Sequence, residues 1–573
     1  MDSAATSHRA RRRTGLSTSL CALLASLLLC VGTFMLVRPR YPLADDYVQQ
    51  LYVSGRLLGC GACGLMPYTL WPISAPMSAL YQVLPAVPWY AITLLALTTV
   101  SFWACGTQAL RTRLSAPAKA CVCMALGALE VISTMYFTYT VVAFLATSAG
   151  LATLVARSSF GREGLGVPDA CALALVCLGF ALRPESGLGA LAVFSPFAVY
   201  VIAHNRHAAP ICRGVATVLA ALAVMAAGGL AYDATPGWES YGDYLGHGRD
   251  ALDYPELTAD EMREIDPSIT DASASILNKW IFIQSDPFDV EFFERLGSSR
   301  AHVSRAYLLD ALKAKTTWLA LGLIALFGVA GAAMMRNIHA SSAAHALAMG
   351  VCVMALASCL LLATRARVRL HVVLPLAMAT FMALIACCQA PEAKRGAHYA
   401  HGVASQSRSR SRLRRLALPV VVGLCCVGAT LGLWFKVVRP TSVQGKSPLS
   451  QDYLSYLRET DDMVIQGSAQ TAFIARDALA FEQGAYPANA IVPGGWMVYT
   501  APWQDFLASR GLSDSDLLEQ LAQRDDMTLV TGEDTAETVR EFVEERLGRS
   551  VEKRSVRTFG DDSQLSVWKY SLA

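Results

Sequence analysis

Residues 16–37, LSTSLCALLASLLLCVGTFMLV, run for 22 positions without a charged side chain. An α-helix needs about 20 apolar residues to cross the hydrocarbon layer, where it satisfies its own backbone hydrogen bonds. The run follows HRARRR (8–13) and stops at RPRYPLADDYVQQLYVSGRLLG (38–59). A signal peptide would have a shorter apolar core and a small-residue cleavage site, and neither is evident. The reading is therefore an uncleaved helix, with a basic cytoplasmic N-terminus (1–15) and with Asp45 and Asp46 emerging on the outer face.

The rest of the chain repeats that pattern. A mean hydropathy of +0.38, 54% hydrophobic residues and 16% charged residues exclude an ordinary soluble globule. Further spans are expected near 88–110, 119–136, 137–156, 168–182, 186–203, 211–232, 317–335, 343–363, 370–389 and 416–437. The expectation is an all-α polytopic membrane bundle of about 11 transmembrane helices over 16–437, which sends the C-terminus out. The outer loops are then 38–87 and 233–316. In the first, LMPYTLWPISAPMSALYQVLPAVPWY is apolar but broken by five prolines, which suits an interfacial or re-entrant segment. The basic segments RSSFGREG, HNRHAAPICR and RNIHA, and the loop 390–415 with its Arg/Ser tract, fall inside. Lying between two apolar runs, that tract reads as an orientation-setting loop, and no nucleic-acid partner is expected.

After residue 437 the character changes. DMVIQG, NAIVPGGW, DDMTLVTG and QLSVWKYSL read as short strands. SDLLEQLAQR and TAETVREFVEERLG read as helices, the second with a threonine N-cap. Their alternation predicts a C-terminal extracytoplasmic α/β domain over 438–573 with a mainly parallel sheet. Most of the 16 cysteines sit singly in apolar runs as small hydrophobes. Cys60 and Cys63, in CGAC, are the exception. A local disulfide and two idle thiols both fit there, whereas the surroundings of a redox or zinc site are missing.

Five places could carry chemistry. Asp45 and Asp46 suit a helix N-terminus or a general base. Tyr47, Tyr52, Tyr68, Trp71, Trp89 and Tyr90 surround them in sequence, as a membrane-interface belt or as sugar-stacking faces. Arg365, Arg367 and Arg369, in ATRARVRLHVVLP, lie at an outer helix end against the usual bias, where guanidinium groups hold lipid phosphates or a phosphate-bearing substrate. In an extended segment all three would point one way; in a helix Arg365 and Arg369 would share a face. Arg183 and Glu185, in LRPES, form a charged hairpin between spans, either closing on each other or serving a site. In TPGWESYGDYLGHGRDALDYPEL, the residues Trp238, Asp243, Arg249 and Asp253 suggest a partner surface. His247 reads there as an exposed loop histidine, and no metal motif is present. Trp496, after Gly494 and Gly495, is either core or a sugar platform.

With these residues identified, the chain resembles the GT-C superfamily of polytopic glycosyltransferases that use polyprenyl-phosphate sugars. The likeness rests on LADDY in the first outer loop, the aromatic interfacial stretch, the many helices and the exported terminal domain. It extends to Gram-positive membrane proteins with DDY…SG (Asp45–Tyr47, Ser54–Gly55), LY…P.VPWY (Leu80–Tyr81, Val87–Tyr90), RPESGL (Arg183–Leu188), W…DY (Trp238–Tyr254) and GGW (Gly494–Trp496). The resemblance implies that Asp45 or Asp46 takes the proton from an acceptor hydroxyl. Arg365, Arg367 and Arg369 would hold the phosphate of the leaving polyprenyl phosphate, and the anomeric centre would invert. The implied partners are a polyprenyl-phosphate-linked sugar, a cell-envelope glycan, lipid or protein acceptor, and membrane lipid. Some relatives use a divalent cation, Mg or Mn, and others none; both stay open at this point.

Two other classes compete. A lipid-linked glycan flippase, polymerase or transporter without transferase activity would bury charges in mid-helix. A scaffold that only anchors the exported domain would need few helices.

Overall fold

The computed structural model describes residues 2–573 apart from 57–58, 60, 160–165, 205–207, 390–422, 430, 436–447, 468–488, 492–495 and 560–564. The membrane helices and their connections are α1 (Asp2–Val37), α2 (Ala44–Val53), α3 (Trp71–Val83), α4 (Trp89–Arg111), α5 (Ala116–Met135), α6 (Tyr139–Ser159), α7 (Val167–Leu182), α8 (Pro184–His204) and α9 (Ala208–Asp233). Then come α10 (Tyr241–Leu252), α11 (Ala259–Ile265), α12 (Asp271–Asn278), α13 (Val290–Ser299), α14 (Arg305–Lys313), α15 (Lys315–Asn337), α16 (Ser342–Thr364) and α17 (Leu370–Cys387).

Among the described residues nine helices are long and apolar enough to cross a membrane: α1, α4, α5, α6, α8, α9, α15, α16 and α17. The two remaining expected crossings are represented by shorter apolar helices. One is α7, with 16 residues. The other is Gly423–Leu433, whose flanks lie outside the described residues, as does the basic loop 390–415.

The chain divides into two compact units. The first is Met1–Pro39, Ile92–Met225 and Arg305–Val443. At its centre α6 is 89% buried over its apolar window. Small residues let α7 approach it closely, as is usual where helices pack in lipid. A Cβ added to Gly179 would stand 2.1 Å from Thr147 Oγ1 and 2.7 Å from the Ala143 carbonyl oxygen. Gly179→Ala is therefore expected to cost about 1–3 kcal/mol through overpacking. A lower thermal midpoint checks it, with Gly322→Ala in α15, which meets nothing within 4 Å, as the unaffected control. Phe327 of α15 and Phe381 of α17 stack at 4.8 Å on the other side of the bundle.

The second unit is Arg40–Ala91, Ala226–Ser304 and Gln444–Ala573. Most of each segment expected as an outer loop thus folds together with the terminal α/β region, whereas 305–316 belongs to the first unit. Its described strands are β1 (Met463–Gln466), β2 (Ala490–Ile491), β3 (Met527–Thr531), β4 (Val551–Phe559) and β5 (Leu565–Leu572), in the order β2-β1-β3-β5-β4. β1 is parallel to β2 and β3, but β5 is antiparallel to both β3 and β4. The sheet is mixed rather than mainly parallel, because the chain ends in a β4–β5 pairing instead of another helical crossover. VEKRSVRTF of β4 escaped the strand reading because its side chains are mostly charged or polar; at a sheet edge, charges are what keep strands from pairing with other chains. The helix Glu533–Leu547 begins after Gly532 rather than at a threonine cap, and it ends on Gly548 at φ 61°, where a missing Cβ is an advantage.

Polar contacts tie the three segments of this unit together. Arg546 Nη2 lies 2.6 Å from Asp286 Oδ2, Lys279 pairs with Asp534, and the Leu518 amide donates to Gln284 Oε1 at 2.8 Å. Tyr232 donates to the Met66 carbonyl at 2.7 Å, and Tyr241 to that of Trp496 at 2.9 Å.

Candidate functional site

The acidic pair opens the ten-residue helix α2. Leu43, not an aspartate, occupies the N-cap, and no side chain caps the helix. Both carboxylates stand in the first turn, where the helix dipole favours negative charge. They differ in surroundings. Asp46 is fully buried at 0% exposure, whereas its neighbour Asp45 is exposed.

A polar network of the second unit encloses Asp46. Tyr90, also 0% exposed, donates to Asp46 Oδ1 at 3.0 Å and to Gln49 Oε1 at 3.3 Å. Thr69 donates to the same Gln49 oxygen at 2.9 Å, and Tyr41 donates to Gln50. The Tyr90 amide, one of the N–H groups a helix leaves free at its start, donates to the Tyr81 hydroxyl at 3.0 Å. Burial pushes the Tyr81 hydroxyl above its ordinary value and Arg56 pulls it back only in part, so Tyr81 stays neutral. Burial likewise holds the Arg56 guanidinium below its usual value. Arg56 Nη2 also donates to the Pro85 carbonyl at 2.8 Å, joining the end of α2 to the turn before α4. Tyr47 is buried, 6.5 Å from Tyr41 between ring centres, and Trp89 is half-buried, with its indole donating to the Leu84 carbonyl. Tyr90 is thus a partner of Asp46 rather than a belt residue. Gln49, Gln50 and Tyr41 were not singled out from the sequence, because isolated amides and tyrosines carry no periodic pattern.

The arginines belong to the first unit. Arg365 closes α16, Arg369 precedes α17, and Ala366 between them sits at φ 56° in the left-handed region. That turn is neither extended nor helical, so neither face-sharing pattern expected from the spacing applies. His371 lies close enough to Arg183, Arg367 and Arg369 for all three charges to act on it. Arg183, Arg367 and Arg369 thus act on one imidazole; Arg365 and Arg369 are exposed, and Arg183 and Arg367 are half-buried. Arg183 also donates to the Tyr139 hydroxyl, lies 5.0 Å from that ring's centre, and approaches Glu185 at 3.7 Å. His371 went unremarked in the sequence as one imidazole in an apolar run.

The second-loop candidates separate. Trp238 is 2% exposed and packs against Tyr52 at 6.1 Å, Tyr232 at 5.7 Å and Tyr241 at 5.0 Å. It is a core residue, not part of a partner surface. Asp243 is exposed, and Arg249 and Asp253 are half-buried, with Arg249 donating to the Leu245 carbonyl. Trp496 contacts Tyr68, Trp280 and Phe282. Gly494, Gly495 and Cys60 lie outside the described residues. Among the described residues no group of three or more His, Cys, Asp or Glu is placed to hold a metal ion.

A further ionisable group was overlooked. Glu130 of α5, 3% exposed, accepts a hydrogen bond from Ser26 of α1, which also donates to the Thr99 carbonyl of α4 at 2.9 Å. Compared with protein families, with curated proteins and with solved structures, the chain matches none.

Proposed function

We propose that this chain is an inverting membrane glycosyltransferase of the GT-C type, moving a sugar from a polyprenyl-phosphate donor to a cell-envelope acceptor on the exported face. The observation that carries the reading is α2: a short helix, held by buried hydrogen bonds, with one carboxylate locked inside and its neighbour turned outward. The difference in exposure divides the roles. Asp45 is the base, because a base must reach the proton it removes. Asp46 is a positioning residue that acts through Tyr90 and Gln49. The folding of 40–87 and 233–304 with the terminal region into one compact unit also supports the reading, which needs those segments on one side of the bilayer.

In the proposed step the acceptor oxygen attacks the anomeric carbon and its proton passes to Asp45. The bond from that carbon to the donor phosphate breaks, and its electron pair leaves with the phosphate oxygen. Within the first unit, Arg367 and Arg369 are guanidinium donors of the kind that binds a phosphate. A charge-assisted hydrogen bond is worth about 1.5–3 kcal/mol. Arg367→Gln should therefore lower kcat/KM for the donor about 10- to 100-fold. The assay is release of polyprenyl phosphate from candidate polyprenyl-phosphate sugars by the purified chain, and full activity in this variant argues against the phosphate grip.

Glu130 favours the second reading, a transporter of lipid-linked glycans, because a buried ionisable group inside a span often marks a transport path. Glu130→Gln tests it: a transporter loses flux across vesicles, whereas a transferase keeps its turnover.

A further inference from the structure

The structure assigns a proton-binding site to the first unit: Glu130, held as the neutral acid where α1, α4 and α5 meet, with its hydrogen directed at Ser26. The site depends on neither of the two functional readings. Ser26 stands near the middle of the apolar run 16–37, Thr99 belongs to α4 and Glu130 to α5, and all three are buried. The Ser26 hydroxyl has one hydrogen, yet two oxygens lie within its reach, the Thr99 carbonyl at 2.9 Å and Glu130 Oε1. A carbonyl oxygen only accepts. An ionised Glu130 would also only accept, so one of the two contacts would set lone pair against lone pair. The acid form removes the conflict: Glu130 gives its hydrogen to Ser26 Oγ, and Ser26 gives its own to Thr99.

Burial points the same way. A carboxylate is far costlier than a carboxylic acid to hold in apolar surroundings, and a buried group escapes that cost by taking up a proton. The neighbours are small and weakly polar. Cys30, four residues after Ser26 and on the same face of α1, lies against Thr99 and against Thr134 of α5. The described titratable groups that interact with Glu130 are the thiols of Cys30 and of Cys105 on α4. A chain of hydrogen bonds thus runs from α5 through α1 to α4, and one bound proton completes it. Losing that proton puts a charge among three helices and leaves either Thr99 or Glu130 without a hydrogen from Ser26.

The test is infrared difference spectroscopy of the full chain in lipid nanodiscs at neutral pH, wild type against Glu130→Gln. The wild type is expected to show the carbonyl stretch of one carboxylic acid per chain, and the variant to lack it. Glutamine keeps the shape of the side chain and has an N–H to give Ser26, so the variant should fold. Ser26→Ala removes the acceptor of the acid's hydrogen and should move the acid band to higher frequency. That second variant keeps the test decisive if Glu130→Gln does not fold. Carboxylate stretches in place of the acid band in the wild type, or an acid band that Ser26→Ala leaves unmoved, would overturn the assignment.

Discussion

Asp45→Asn is expected to lower sugar transfer by a factor of about 10²–10⁴, the usual contribution of a positioned general base. Its thermal midpoint should stay within a degree or so of the wild type, because Asp45 is exposed and surface substitutions seldom move stability by more than about 0.5 kcal/mol. Asp46→Asn gives a different signature. The amide keeps an oxygen that accepts from Tyr90, but it brings an N–H pair into a buried pocket already holding Gln49 and Gln50. Leaving a buried polar group unsatisfied costs about 1–3 kcal/mol, so both stability and turnover should fall. If Asp46→Asn lost activity while keeping its melting behaviour, and Asp45→Asn kept its activity, the roles would be exchanged. The pair thus separates the base from the residue that holds the helix in place.

Trp238→Ala is expected to destabilise the second unit by about 3–5 kcal/mol, the range for removing a fully buried aromatic side chain. Its indole fills the space between Tyr52 of the first loop, Tyr232 at the end of α9 and Tyr241 of the second loop, so the loss is shared by these segments. Trp238→Phe should recover much of the stability by keeping an aromatic ring in the cluster. Thermal unfolding followed by tyrosine and tryptophan fluorescence reads both variants. A surface-exposed sugar platform would behave differently, with a raised KM and an unchanged midpoint. That outcome would contradict the core assignment of Trp238.

The spans were legible because lipid imposes a simple condition: about 20 apolar residues with few charges, which α1 meets without ambiguity. The condition is weaker at α7, whose 16 residues fall short, and among the described residues nine helices meet it. Four of the five described strands could be read from apolar runs bounded by turns, while β4 was hidden by its charges. In LADDY the sequence located the acidic pair but could not divide it. Burial does that, and burial depends on Tyr90 and Thr69, which approach α2 only in the fold. The same holds for Arg183 and Arg367, far apart in the chain and joined around His371. Trp238 was misread because a tryptophan in a polar loop looks exposed until the loop is seen to have a core of its own.

The most direct measurement is single-turnover discharge of polyprenyl-phosphate sugars by the purified chain in lipid nanodiscs, followed by determination of the product's anomeric configuration. The account expects one polyprenyl phosphate released per sugar transferred, with the configuration inverted and with Asp45→Asn nearly inert. Retention of configuration, equal discharge by Asp45→Asn, or no discharge of any such donor by the wild type would contradict it.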